Sequence, residues 1–261
     1  MNAVNKTLYI PLYGKSYVSK KGLFLQDKKA EEIWAAEGFP LKGKSRSKWL
    51  AYYMGIRSSV FDDWTRAQMA HNPGAVVLHI GCGMDSRVLR VGQKGHKWYD
   101  LDFPAVIQER KRYFAESDDY RMLAGNAAEP TWLERIPENE CAIIVMEGIS
   151  MYLSPAQLHT LIGGLCGHFK HIALLMDCYS ALAASMSKYK NPINDVGVTT
   201  VYSMDDPLSL QKQDFTFVCA RDMTPPAYID ALQGIEKHIF CKLYAGGFAK
   251  KLYRLYEYKK A

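Results

Sequence analysis

Three kinds of residue in this chain stand where chemistry can be done: glycines at a strand-to-helix turn, carboxylates ending apolar runs, and an arginine beside an apolar helical stripe. Val76-Val77-Leu78-His79-Ile80 runs into Gly81-Cys82-Gly83 and then a helical stretch. Glycines at such a turn let backbone approach a bound nucleoside with no Cβ in the way. The dinucleotide fingerprint places a third glycine where Ser86 stands, so a ligand without a pyrophosphate is favoured. Asp100 and Asp102 follow about twenty residues on, where a carboxylate accepts both hydroxyl hydrogens of a ribose. One of the two is expected to cap the helix opening at Phe103-Pro104.

Glu147 ends a fourth apolar run, and a charge at a buried strand end is costly unless partnered. Tyr152 follows one turn later, as a substrate-orienting group or a core tyrosine with a bonded hydroxyl. Arg57 lies beside the stripe Trp49, Tyr53, Ile56, Val60 and Trp64; its planar guanidinium suits a carboxylate, with Asp62 or Asp63 on the same helix as the alternative partner. No metal is required by this set. No dedicated His-Asp pair is evident: His79 falls inside a strand, and His159, His168 and His171 lie on or after the helix following Glu147 and read as structural or surface residues.

Short uninterrupted apolar runs at 76–80, 97–101, 120–124, 142–146 and 172–177 alternate with helix-sized stretches at 102–116, 131–136 and 154–168. Strands buried on both faces of a parallel sheet have this pattern. Before them, Asp27 can cap a helix ending at Glu37, and Ser45 or Ser47 can start a long one ending before Asn72-Pro73-Gly74. After them, 179–213 leaves the alternation and reads as an inserted lid. A strand at 215–223, a helix at 226–233 and a closing edge strand at 251–258 complete the chain.

The chain is therefore expected to form a single α/β domain. An N-terminal helical cap (1–72) precedes a nucleoside-binding core (73–178), the lid (179–213) and a C-terminal completion of the sheet (214–261). With 261 residues, 48% apolar, disorder is excluded as the main description. The net charge of +6 is mild, and its excess sits within residues 1–58, with eleven basic and four acidic side chains. A solvated basic face explains this more simply than an acidic partner. The six cysteines include no CxxC pair and fit a reducing cytoplasm; no apolar run is long enough to span a bilayer.

Six blocks carry a family resemblance over residues 7 to 180: TLYIPLYGKSY (7–17), IRSSVFDDW (56–64), HIGCGMDSR (79–87), YDLDFP (99–104), GNAAEPTWL (125–133) and MEGISMYLSP (146–155). In this order they resemble class I S-adenosylmethionine-dependent methyltransferases of the leucine carboxyl methyltransferase and tetracenomycin polyketide O-methyltransferase superfamily. The resemblance implies a Rossmann-like, doubly wound, mostly parallel seven-stranded sheet with an antiparallel edge strand. It implies S-adenosylmethionine as cofactor, held by Lys15, Arg57, Gly81, Cys82, Gly83, Asp102, Phe103, Asn126, Ala127, Glu147 and Gly148. Arg57 and Lys15 would face the methionine carboxylate, Glu147 the ammonium, Asp102 the ribose with Asp100 as its neighbour, and Asn126-Ala127 the adenine. Asn126 departs from the family's usual aspartate, keeping an acceptor but losing its charge.

The implied activity is O-methyl transfer to a carboxylate or hydroxyl of a small molecule or peptide end, with Tyr152 near the acceptor. A carboxylate is already ionised at pH 7, whereas a phenol needs a base. The alternatives are a nucleoside-binding protein without turnover and an NAD-dependent oxidoreductase. Nucleic acid is not expected as a partner, because Glu147-Gly148-Ile149-Ser150 replaces the Asn/Asp-Pro-Pro-aromatic pattern of base amino-methylation. No membrane partner is expected either.

Overall fold

The computed structural model describes residues 7–38, 41, 43–138, 141–187, 200–212 and 214–261. Seven strands form one sheet in the order β3-β2-β1-β4-β5-β7-β6. They are β1 (Val76–Ile80), β2 (Trp98–Asp102), β3 (Tyr120–Ala124), β4 (Cys141–Met146), β5 (His171–Tyr179), β6 (Phe215–Arg221) and β7 (Tyr253–Lys260). The first five pair in parallel, and β7 runs antiparallel to both β5 and β6. The antiparallel part thus stands at one edge of the sheet, as expected. The last strand enters one place in from that edge, with β6 outside it, so four consecutive residues of β7 are buried.

Period-2 alternation sorts each central strand between two cores. Val77, Ile143 and Val145 face one core; Val76, Leu78, Ile80, Ala142, Ile144 and Met146 face the other. The first core is closed by α1 (Tyr9–Lys20), α2 (Lys28–Glu37), α3 (Lys48–His71), α4 (Arg87–Val91) and α5 (Pro104–Arg110), the second largely by α6 (Pro155–His168). Helices on both faces make the sheet doubly wound.

The helix boundaries follow local chemistry. Asp27 caps α2 by accepting from the Ala30 amide, and Gly38 ends it in the left-handed region. Ser47 caps α3. Ser154 and Gln157 form a capping box on α6 with Pro155 at its first position. Two expected helices, 102–116 and 226–233, are shorter, the latter reduced to Pro226–Ile229, and a third stretch is of another type. The stretch 102–116 gives only α5 and a turn, and 131–136 is a 3-10 segment, Pro130–Arg135. Arg110 at the end of α5 turns inward onto Asp100, and the chain leaves the helix there.

Past β5, the chain forms α7 (Ala181–Met186), and residues 202 and 204 donate backbone hydrogen bonds to Met151 and Tyr179. Part of the expected lid, residues 188–199 and 213, lies outside the described residues. Then come α8 (Pro226–Ile229), α9 (Gly234–Phe240), a π-helical turn at Cys241–Ala245 and α10 (Ala249–Leu252), which leads into β7. Among the described residues no helix is long and apolar enough to cross a membrane.

Candidate active site

A cavity of about 690 Å³ opens above the carboxyl ends of β1, β2 and β4, where open parallel sheets hold ligands. All twelve residues singled out from the sequence line it: Lys15, Arg57, Gly81, Cys82, Gly83, Asp102, Phe103, Asn126, Ala127, Glu147, Gly148 and Tyr152. Gly81 leaves β1 at φ +73°, and a Cβ there would lie 2.7 Å from Cδ1 of Ile149. A side chain at this turn is therefore excluded by both backbone and space. The amides of Gly81 and Cys82 both donate to the Leu101 carbonyl, which ties the turn to β2.

Asp102 ends β2 and accepts the Gly83 amide on Oδ2 at 2.7 Å and the Phe103 amide on Oδ1 at 2.8 Å. Each oxygen keeps a further lone pair for a ligand hydroxyl. Burial raises its pKa to about 6 against the lowering effect of these amides and Arg110. The expected cap is corrected: neither aspartate caps α5, whose N-cap is Phe103 with no side-chain hydrogen bond, and Asp100 is placed elsewhere. Its side chain is fully buried and bonds Arg110, Tyr120 and the Trp98 indole. Burial alone would raise its carboxyl, but Arg110 and His79 outweigh it and hold it at about 2.

Arg57 and Glu147 face each other. Arg57 Nε donates to Glu147 Oε1 at 2.9 Å, and its Nη1 donates to Asp177 Oδ2 at 3.2 Å and to the Tyr253 hydroxyl at 3.0 Å. Arg57 therefore does not use Asp62 or Asp63. Asp62 is taken by Arg87 and Arg90. Glu147 also accepts from Ser58 and from Arg87. Ser58 is shared between the two oxygens, at 3.0 Å from Oε1 and 3.4 Å from Oε2, so the acceptor position open to a further donor on Oε2 is the one its longer arm touches. Burial would raise Glu147, but Arg57, Arg87 and Lys15 outweigh it and bring it down to about 2.

Lys15 Nζ lies 2.9 Å from Asp85 and is only 3% exposed, so two of the N-terminal basic residues, Lys15 and Arg57, belong to the interior and not to a solvated face. The alignment depends on Gly14, where a Cβ would lie 2.7 Å from that of Met54. The close approach of α1 and α3 brings Lys15 into the interior. Asp85 also pairs with Arg90, which in turn reaches Asp27.

His79 sits between the two ionic groups. Arg87 Nη1 lies 3.2 Å from His79 Nε2, so Nε2 accepts and Nδ1 carries the proton, 3.6 Å from Asp100 Oδ1. Burial lowers its pKa, keeping the ring neutral. Asn126 donates its amide to Glu129 and accepts the Ala128 amide. The Tyr152 hydroxyl bonds Thr7, and burial raises its pKa.

The helical stripe of α3 divides. Ile56, Val60 and Trp64 are core, whereas Tyr53 lines the cavity. Tyr53, Tyr179, Tyr244 and Tyr253 are joined by ring contacts of 5.0–6.2 Å and line the same side of the space. Sequence reasoning missed Asp177, Tyr253, Arg87 and Ser58. Asp177 was visible as a lone acid closing the apolar run of β5. Tyr253 gave no signal, because only the β5–β7 pairing brings it to the cavity.

A family model described as leucine carboxyl methyltransferase matches residues 5–166. The tetracenomycin polyketide synthesis O-methyltransferase TcmP of Streptomyces glaucescens is 32% identical over 159 residues, 60% of this chain and 59% of that protein. The S-adenosyl-L-methionine-dependent methyltransferase dpfgK of Gibberella zeae is 26% identical over 183 residues, 64% of this chain and 61% of that one. The chain thus spans about three-fifths of the length of these curated relatives. Among solved structures, a putative methyltransferase from Thermobifida fusca superposes with a TM-score of 0.59 at 14% identity, covering 95% of this chain and 94% of that one. Magnesium protoporphyrin IX methyltransferase from Synechocystis gives 0.53 at 14% identity, covering 95% and 97%. At such identities the likeness is one of fold.

Proposed function

The chain belongs to the leucine carboxyl methyltransferase family, and from that premise we propose that it transfers a methyl group from S-adenosylmethionine to a carboxylate or hydroxyl oxygen of a small molecule or peptide end. The observation that carries this reading is the convergence of all twelve expected residues on one cavity. In this reading Asp102 holds the ribose and Asn126-Ala127 the adenine. Arg57 and Lys15 hold the methionine carboxylate, and the remaining acceptor position of Glu147 takes the ammonium.

The cofactor supplies an activated methyl on a positive sulfur. The chain's own residues then need to align acceptor oxygen, methyl and sulfur and keep water out, a positioning effect worth several kcal/mol. Tyr152, beside the methionine end, orients the acceptor. The 1–72 helices and the segment following β5 wall the acceptor space.

The NAD alternative is disfavoured by Ser86. Its hydroxyl bonds Asp27 of the N-terminal helices, and Asp27 and Asp85 crowd the first turn of α4, leaving carboxylates where a pyrophosphate would lie. A thermal-shift comparison of S-adenosylhomocysteine, NAD and NADP tests the cofactor. Stabilisation by the first alone is expected; stabilisation by NAD or NADP alone rejects the reading. Transfer of labelled methyl to members of an acid and phenol panel separates an enzyme from a binding protein without turnover.

A further inference from the structure

The sequence shows no base for a hydroxyl acceptor, yet a hydroxyl–carboxylate pair borders the cavity through Tyr253, with Asp177 buried behind it. Tyr253 lines the cavity at the start of β7, and its hydroxyl donates to Asp177 Oδ2 at 2.8 Å. Asp177 is fully buried at the end of β5, with its Oδ1 fixed by the Gly148 amide at 2.7 Å. Resting on the methyltransferase reading, we propose that Tyr253 is a catalytic residue that accepts the acceptor's hydroxyl proton and relays its own to Asp177, so that the acceptor is an aromatic alcohol.

The geometry fits the relay. Tyr253 Oη donates one bond to Asp177 and accepts one from Arg57 Nη1, which leaves a lone pair for an incoming O–H. As the acceptor oxygen bonds the methyl carbon, the methyl–sulfur bond breaks and its electron pair neutralises the sulfonium. The acceptor proton moves to Tyr253 Oη while the Tyr253 proton moves to Asp177 Oδ2. Tyr253 ends neutral, and Asp177 ends protonated and later returns the proton to solvent.

Several groups face the pair: Arg57 and Tyr53 from α3, Glu147 after β4 and Tyr179 from β5, with Tyr244 from the turn at Cys241–Ala245 stacked on Tyr53. Burial raises the Asp177 carboxyl against the opposing pull of Arg57, which makes it a stronger base than an exposed aspartate. The aromatic class follows from the rings around the hydroxyl: Tyr179 meets Tyr253 edge-on at 5.0 Å, and Tyr53 stacks on Tyr244 at 5.0 Å. Tyr244 is itself stacked on Phe240, so a flat ring would pack along the edges of this aromatic wall.

The test uses the full chain with S-adenosylhomocysteine bound and a series of chromophoric phenols from 4-nitrophenol to hydroxyanthraquinones. A phenol transferring its proton to the pair shows its phenolate absorbance band on binding, at a pH where the free phenol is protonated. Tyr253→Phe is expected to abolish the band while S-adenosylhomocysteine affinity stays within about threefold. With S-adenosylmethionine, kcat for the same phenol falls at least about a hundredfold with KM little changed. The loss shrinks at alkaline pH, where the phenol ionises without help. A merely structural role would lower kcat equally at all pH values. That result, or exclusion of every phenol from the loaded protein, overturns the proposal. Failure of S-adenosylhomocysteine itself to bind overturns the methyltransferase reading instead.

Discussion

At the end of the cavity walled by α1, α3 and α4, Lys15, Arg57, Arg87 and Arg90 interlock with Asp27, Asp62, Asp85, Glu147 and Asp177. At the end walled by α3, β5 and the residues around 244–253 the lining is tyrosine and aliphatic. The ionic end is held by pairs that have few other partners in a dry interior, so its geometry is set before any ligand arrives. The tyrosine end is held by ring contacts and keeps neutral hydroxyls, because burial raises the pKa of Tyr53, Tyr244 and Tyr253. On the proposed reading, one end suits a single zwitterionic ligand and the other selects by shape. The two meet at Asp177, which bonds both Arg57 and Tyr253.

The largest expected difference between the ends is in stability. Arg87→Met removes a fully buried cation and leaves Asp62 and Glu147 short of a partner, at a cost of about 3–5 kcal/mol in urea unfolding. Tyr179→Phe at the other end should cost within about 1 kcal/mol. A loss below about 1 kcal/mol for Arg87→Met would mean that the ionic end is no more rigid than the rest.

Next comes cofactor affinity. Arg57→Lys keeps the charge but loses the planar fork that spans Glu147 and Asp177, and calorimetry should find S-adenosylhomocysteine bound at least about tenfold more weakly, about 1.4 kcal/mol. Tyr244→Phe should leave the same affinity within about twofold. Equal effects would erase the distinction between a cofactor end and an acceptor end.

How far this division could be read from the sequence depends on the range of each contact. Local features were legible. Asp27, Ser47 and Ser154 cap helices because a short polar side chain reaches an amide two or three residues on, and the Gly81 turn and Glu147 follow from strand ends. The second roles of the same residues were not. Asp27 also meets Ser86 and Arg90, 59 and 63 positions away, and Arg87 meets Glu147 across 60 positions. Such pairs depend on which helix crosses which strand, and no spacing rule encodes that. Asp62 shows the same limit: it stands on the helix of Arg57 yet bonds Arg87 and Arg90. The tyrosine end was the least legible, since Tyr53 fits a core stripe and Tyr253 is one aromatic among many.

A pH dependence sharpens the comparison further, because Asp102, on the side proposed to hold the nucleoside, is a carboxyl raised to about 6. Asp102 must be ionised to accept from a ribose, and binding favours that form, so affinity is lost as pH falls through about 6. S-adenosylhomocysteine should bind about tenfold more weakly at pH 5 than at pH 7, and Asp102→Asn should bind weakly at both. The sign for the unliganded fold is opposite. A carboxyl whose pKa is raised above its unfolded value costs stability as pH rises from about 4 to 6.

The smallest effect concerns Asn126, the proposed adenine contact, whose amide stands where the resemblance implies a carboxylate. Its Nδ2 donates to Glu129 Oε1 at 3.0 Å, so an aspartate at 126 would set two carboxylates against each other. Asn126→Asp gains a charge-assisted acceptor for the adenine amine and loses this bond. The opposing terms should leave S-adenosylhomocysteine affinity within about twofold of the parent. Removing the repulsion separates them: Asn126→Asp with Glu129→Gln should bind about three- to fivefold more tightly, up to about 1 kcal/mol. Glu129 is exposed, so raised salt should narrow the gap between single and double variants. A double variant no tighter than the single one would mean that Glu129 does not account for the amide, and that adenine is held at this end by shape, as the acceptor is at the other.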